Sequence, residues 1–128
     1  MVDIDRFEEI LDDVAGELPR EFYKELNGGI LLLPEFKMSP YAVNGDLYIM
    51  GEYVYSSSMG RLINIYYGSF ERAYSSFDED ALKAQIREVL YHEFTHHMES
   101  LAGERGLEKK DDAQLAGYLR SKKKSGGI

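Results

Sequence analysis

The sequence predicts an α+β fold: a small three-stranded sheet packed with an N-terminal helix, a long second helix and a short C-terminal helix. Three observations predict it. Apolar residues recur at helical spacing near the start, at Phe7, Ile10, Leu11 and Val14, and again from Leu82 to Leu101. The middle of the chain changes character, with "GGILLLPEF", "DLYIMGEYVYSSS" and "GRLINIYYGSF" reading as strands bounded by Gly, Pro and Ser. No repeat or linker interrupts the 128 residues, which suit one domain over 1–120 and a flexible tail over 121–128.

The first helix is predicted within "IDRFEEILDDVAGELP". Asp3 or Asp5 can cap its start, and Gly16 followed by Pro19 ends it. "REFYKELNGG" adds one or two turns, stopped by Asn27-Gly28-Gly29. The short buried strand "ILLL" comes next. "KMSPYAVNGD" carries loop and turn residues, including Asn44-Gly45. The second and third strands are joined by a hairpin at Ser56 to Gly60. A long helix is predicted from about Glu79 to Leu101, with Ser76 as N-cap and Glu79 completing a capping box. Leu82, Ile86, Leu90, Phe94 and Leu101 share one of its faces. "AGERGLEKK" breaks it with two glycines. "DDAQLAGYLRS" is the last helix, opened by two aspartates where the helix dipole favours negative charge.

Composition narrows the function. The apolar fraction is 44% and the charged fraction 30%, as in soluble globular proteins. A net charge of −8 argues against binding nucleic acid, whose phosphates need a basic face, and against docking on an anionic membrane. The absence of cysteine excludes a disulfide scaffold, a thiol nucleophile and a thiolate zinc site. It also fits a reducing compartment. The longest apolar run, "GGILLLP", is too short to span a bilayer. "MVDIDRFEEI" lacks the basic start and apolar core of a signal peptide. The expected location is cytoplasmic.

One stretch carries chemistry. "YHEFTHHMES" holds all three histidines, and His92, Glu93 and His96 form the pattern H-E-x-x-H. Residues four apart on a helix lie on one face, so His92 and His96 can turn two imidazoles toward one ion. Zinc accepts neutral imidazole nitrogen, and a catalytic zinc takes three protein ligands and leaves a place for water. Glu93, part-way round the helix, can reach that water and act as general base. Two surface histidines on a solvated helix face would give the same letters. His97 differs: it falls in line with Ile86, Leu90 and Leu101, and is expected to pack in the core and hydrogen-bond to backbone.

A third ligand must come from elsewhere. A helix rises about 1.5 Å per residue, which puts Glu99 about 10 Å along the axis from His92, too far for both to meet one ion. Glu88 and Glu99 therefore read as solvated face residues. Beyond the glycine break lie Glu104, Glu108, Asp111 and Asp112. The two aspartates open the last helix, where their default role is N-cap and dipole partner.

Taken together, the N-terminal helix followed by "ELPREFYKEL", the strand "ILLLP", the hairpin "MGEYVYSSSMGRLINIYYGSF" and "REVLYHEFTHHM" resemble the small bacterial zincin-like metallopeptidases. The resemblance covers most of the chain. Members of that family carry a second histidine directly after the motif, as His97 stands here. They continue with a short Gly-containing turn and an acidic helix start. The turn in this chain, "MESLAGERGLEKK", is several residues longer. Aligning Leu115 with the family's leucine in the last helix places Asp112 on the third-ligand position, with Asp111 as the alternative. The resemblance implies a compact minimal zincin core, zinc as cofactor, and hydrolysis of peptide or protein substrates. Tyr66, Tyr67 and Tyr118 are candidate oxyanion donors, and none is assigned. A zinc-binding interaction module without turnover is the alternative reading, and a metal-free interaction domain a third. Two histidines and a carboxylate also suit iron. The sequence indicates no oligomeric state.

Overall fold

The computed structural model describes residues 1–41 and 47–104. Helix α1 spans Ile4–Ala15 and opens on Asp3, whose carboxylate accepts from the Arg6 backbone N–H at 2.9 Å. Of the two predicted caps, Asp3 is therefore the one in use. Phe7, Ile10, Leu11 and Val14 are the buried residues of this helix, as their spacing predicts. Gly16 closes it, donating to the Asp12 carbonyl at 2.9 Å. A 3₁₀ turn over Arg20–Tyr23 follows Pro19 and buries Phe22.

Three strands form the sheet: β1 over Gly29–Leu33, β2 over Gly51–Ser56 and β3 over Gly60–Tyr66. Their order is β1-β3-β2. β2 and β3 are the predicted antiparallel hairpin, whereas β1 runs parallel to β3. The sheet therefore ends on β2 at one edge. Between β1 and β2, Met38 bridges Tyr48, so a short two-stranded arm precedes β2.

The sequence puts a strand through Phe70, but the structure turns helical at Tyr67. Helix α2 spans Tyr67–Ala73. The β-like letters Tyr66-Tyr67 give way because Gly68 lets the chain pass against another backbone. A Cβ at Gly68 would lie 2.6 Å from Glu35 C and Phe36 N. The turn buries Phe70 against Phe7, with ring centroids 5.0 Å apart. Burial of Phe70 in the common core outweighs local β preference.

Helix α3 spans Glu79–Glu104. Its first-turn donors are met by Asp78 and not by the predicted Ser76: Asp78 Oδ1 accepts from the Ala81 N–H at 2.8 Å. Asp is as good an N-cap as Ser, and Asp78 sits where its carboxylate reaches the third helical residue. Leu82, Ile86, Leu90, Phe94 and Leu101 are all fully buried. They pack with the α1 stripe and with Ile63 and Ile65 of β3 into one core. Arg87 holds both oxygens of Glu17, at 2.7 and 2.8 Å, and so ties α3 to the segment after α1. No described helix is long and apolar enough to cross a membrane.

Tyr23 links the 3₁₀ turn to this core. Its ring stacks edge-on against Phe94 at 4.9 Å, and its hydroxyl donates to the Ala15 carbonyl. Burial, and then the nearby Tyr91, push its pKa up to about 12. An unfolded tyrosine titrates near 10, so the fold holds this proton more tightly than the open chain does. The associated stability is present below about pH 10 and is lost as pH rises from there to about 12. Urea unfolding at pH 9 and pH 11.5 is expected to show a smaller loss for Tyr23→Phe than for the wild type. Equal losses would place the alkaline sensitivity elsewhere.

Candidate metal centre

The motif lies in the second half of α3, and packing fixes how that helix is rotated. His97 is fully buried. Its Nε2 lies 2.7 Å from the Lys24 carbonyl and its Nδ1 lies 2.8 Å from the Tyr53 hydroxyl. A carbonyl can only accept, so Nε2 carries the hydrogen. Nδ1 then accepts from Tyr53. His97 is thus a packed histidine bonded to backbone, as its place in line with Ile86 and Leu90 predicts. It joins α3 to β2 and to the chain after the 3₁₀ turn.

With His97 inward, the helical repeat of 3.6 residues turns His92 and His96 roughly 120° away from it, and Glu93 falls between. Burial follows this order. His92 and His96 are exposed, whereas Glu93 is only 6% exposed. The two Nε2 atoms are 3.1 Å apart and the rings stand nearly perpendicular, at 86°. Two nitrogens each about 2.0–2.1 Å from one zinc and 3.1 Å from each other subtend a roughly tetrahedral angle. The pair therefore fits two of the imidazole positions of a zinc site.

Glu99 Oε1 lies 3.6 Å from His96 Nδ1, on the far side of that ring from the shared point. This is longer than a hydrogen bond, and the carboxylate faces the wrong nitrogen to join His92. Glu99 stays off the candidate site, as the axial rise predicts. Asp111 and Asp112 lie outside the described residues, as do Glu108, Tyr118 and the predicted last helix. Among the described residues no group of three potential ligands converges. Of the tyrosines considered, the Tyr66 hydroxyl donates to Glu52 at 2.7 Å and that of Tyr67 to the Val2 carbonyl at 2.7 Å.

Two hollows flank the pair. A groove of about 710 Å³ runs between α3 and the edge strand, lined by Gly51, Glu52 and Tyr53 on one side and by His92, Glu93, His96 and Glu99 on the other. A smaller cavity of about 300 Å³ lies toward the start of α3 and shares His92 and Glu93 with the groove. Glu93 thus borders both. Strand and helix approach closely here. A Cβ on Gly51 would come within 2.9 Å of Val89 Cγ1. A side chain at this position would force Val89 to shift, a constraint that periodicity alone does not reveal.

The edge strand is oriented for pairing. The Tyr66 N–H donates to the Met50 carbonyl at 2.9 Å. In an antiparallel ladder such residues alternate, so Glu52 and Val54 also turn their backbone groups toward β3. Gly51, Tyr53 and Tyr55 turn theirs to the side away from β3.

The sequence matches the family described as zincin-like metallopeptidase over residues 48–116. That span covers more than half of the chain and includes β2, β3, α2 and α3. The chain belongs to the zincin-like metallopeptidase family. A solved structure of a conserved hypothetical protein from Thermo thermophilus is 34% identical. It has a TM-score of 0.66, and the match covers 80% of this chain and 100% of that one. The likeness to this structure extends the comparison beyond the family match. A search of curated proteins gives no match. Membership in the zincin-like family agrees with the α+β architecture: a small mixed sheet whose edge strand lies alongside the helix that bears His92, Glu93 and His96.

Proposed function

We propose that the chain is a zinc-dependent peptidase. His92 and His96 supply two ligands and Asp112 the third, with Asp111 as the alternative; Glu93 is the general base. The observation that carries the reading is the placement of Glu93. The residue is only 6% exposed and borders the groove beside two imidazoles whose Nε2 atoms are 3.1 Å apart. A solvated helix face gives a glutamate no reason to be buried there.

A bound zinc would supply an electrophile for the scissile carbonyl and lower the pKa of a coordinated water. Glu93 takes the proton from the attacking water and delivers it to the departing amine, so the peptide nitrogen leaves as a neutral amine. The backbone groups of Gly51 and Tyr53 hold an extended substrate by adding it as a strand along β2. Pairing through main-chain groups suits a peptide of any sequence and leaves selectivity to the hollows beside the histidines. The Asp112 assignment rests on the family pattern and on the chemistry of a carboxylate completing a two-histidine set.

Metal content decides between this reading and a metal-free interaction domain. Protein purified without added zinc or chelating resin is expected to carry about one zinc per chain, as in other single catalytic sites. His96→Ala is expected to carry none at equal folded content. Wild type that remains metal-free after zinc is offered would overturn the proposal. Asp112→Ala and Asp111→Ala, measured the same way, identify the third ligand.

A further inference from the structure

The cavity toward the start of α3 has a mixed lining. Ile49, Met50 and Val89 line it with apolar carbon. Gln85 and Glu88 lie one or two turns before His92 and present a polar edge to the same space. Glu88 and Glu93 are the charged residues of its lining, which holds no lysine or arginine. Gln85 and Glu88 are both half-buried, and neither takes part in a hydrogen bond or ion pair among the described residues. The charge on Glu88 is nonetheless felt nearby: after burial, it is the further cause that raises the Tyr74 pKa. On the strand side Gly51 lies so close to the helix that a Cβ there would press on Val89.

From these features we infer that the cavity receives a long cationic side chain, lysine or arginine, from the substrate residue next to the scissile bond. The inference rests on the peptidase reading for its place in a reaction. An apolar stem with a charged head matches a mixed lining in which Ile49, Met50 and Val89 stand beside a carboxylate and an amide. A volume of about 300 Å³ has room for one such side chain. Leucine would fill the walls but leave Gln85 and Glu88 facing a group that cannot bond to them. A glutamate side chain would set like charge against Glu88 and Glu93. Glu88 and Gln85 act here as specificity residues and take no part in proton transfer.

The test separates selectivity from turnover. Labelled alanine-based pentapeptides with Lys, Leu or Glu at the centre are titrated by fluorescence anisotropy against the full zinc-loaded chain carrying Glu93→Gln, so that no peptide is consumed. The Lys peptide is expected to bind about 10-fold more tightly than the Leu peptide, the scale of one hydrogen bond to a charged group. Adding Glu88→Gln is expected to bring the Lys and Leu peptides to equal affinity, and adding Glu88→Lys to shift preference to the Glu peptide. Far-UV circular dichroism confirms that each variant is folded. Preference for Leu, binding of no peptide, or a Lys preference unchanged by both substitutions at position 88 would overturn the inference. Cleavage sites of the wild type on an unfolded protein, mapped by mass spectrometry, are expected to share a basic residue on one fixed side. Absence of any cleavage would count against the peptidase reading, while the binding series still decides what the cavity accepts.

Discussion

Glu93→Gln is expected to keep its zinc and lose at least about 10²–10⁴-fold of its peptide hydrolysis, the usual scale for removing a general base. The substitution preserves size and shape in a place where both matter. Glu93 is 6% exposed and sits between the His pair and the buried His97, with Gly51 of the edge strand across the groove. The amide can fill the same space, so fold and metal site should persist. It cannot take a proton from water at any pH near neutral. Hydrolysis would be followed with a quenched fluorescent unfolded polypeptide and zinc by elemental analysis of the same samples. A variant that keeps zinc and full hydrolysis would remove Glu93 from the mechanism. A wild type with zinc but no hydrolysis of any unfolded chain would favour the non-catalytic binding module, in which Glu93 serves only the fold.

The parts of this arrangement that follow a period were legible in the sequence. The α1 stripe of Phe7, Ile10, Leu11 and Val14, the α3 stripe from Leu82 to Leu101 and the inward turn of His97 all follow from 3.6 residues per turn. The β2–β3 hairpin follows from its Ser- and Gly-bounded turn. What was not legible depends on contacts between segments distant in the chain. Tyr67 begins a helix because Gly68 meets the backbone of Glu35 and Phe36 and Phe70 meets Phe7. No local letter records either contact. Ser76 and Asp78 both carry cap chemistry within three residues, so propensity alone could not choose between them. The parallel pairing of β1 with β3 is a choice of topology that strand letters do not encode. In the candidate site, His92, Glu93 and His96 were legible because four residues make one turn. The approach of Gly51 to Val89, which shapes the cavity, was not.

The second large effect concerns the histidine that binds no metal in this reading. His97→Ala is expected to destabilise the fold by about 3 kcal/mol or more, by leaving a cavity and by removing two hydrogen bonds at once. His97 makes no contact with solvent, donates to the Lys24 carbonyl at 2.7 Å and accepts from Tyr53 at 2.8 Å. Those two bonds connect α3 to β2 and to the chain that follows the 3₁₀ turn. His97→Phe separates the contributions. It restores most of the volume, so what it still costs reflects the partners lost by the Lys24 carbonyl and the Tyr53 hydroxyl, at about 1–3 kcal/mol for each such group. Urea unfolding of the zinc-free proteins reads both values without any contribution from metal binding. Below the unfolding transition, each variant should still take up one zinc per chain, because His92 and His96 project from another side of the helix. Loss of zinc from a folded His97 variant would make His97 part of the metal site. Loss of stability with zinc retained would divide three adjacent-looking histidines into two that face the groove and one that fixes the helix carrying them.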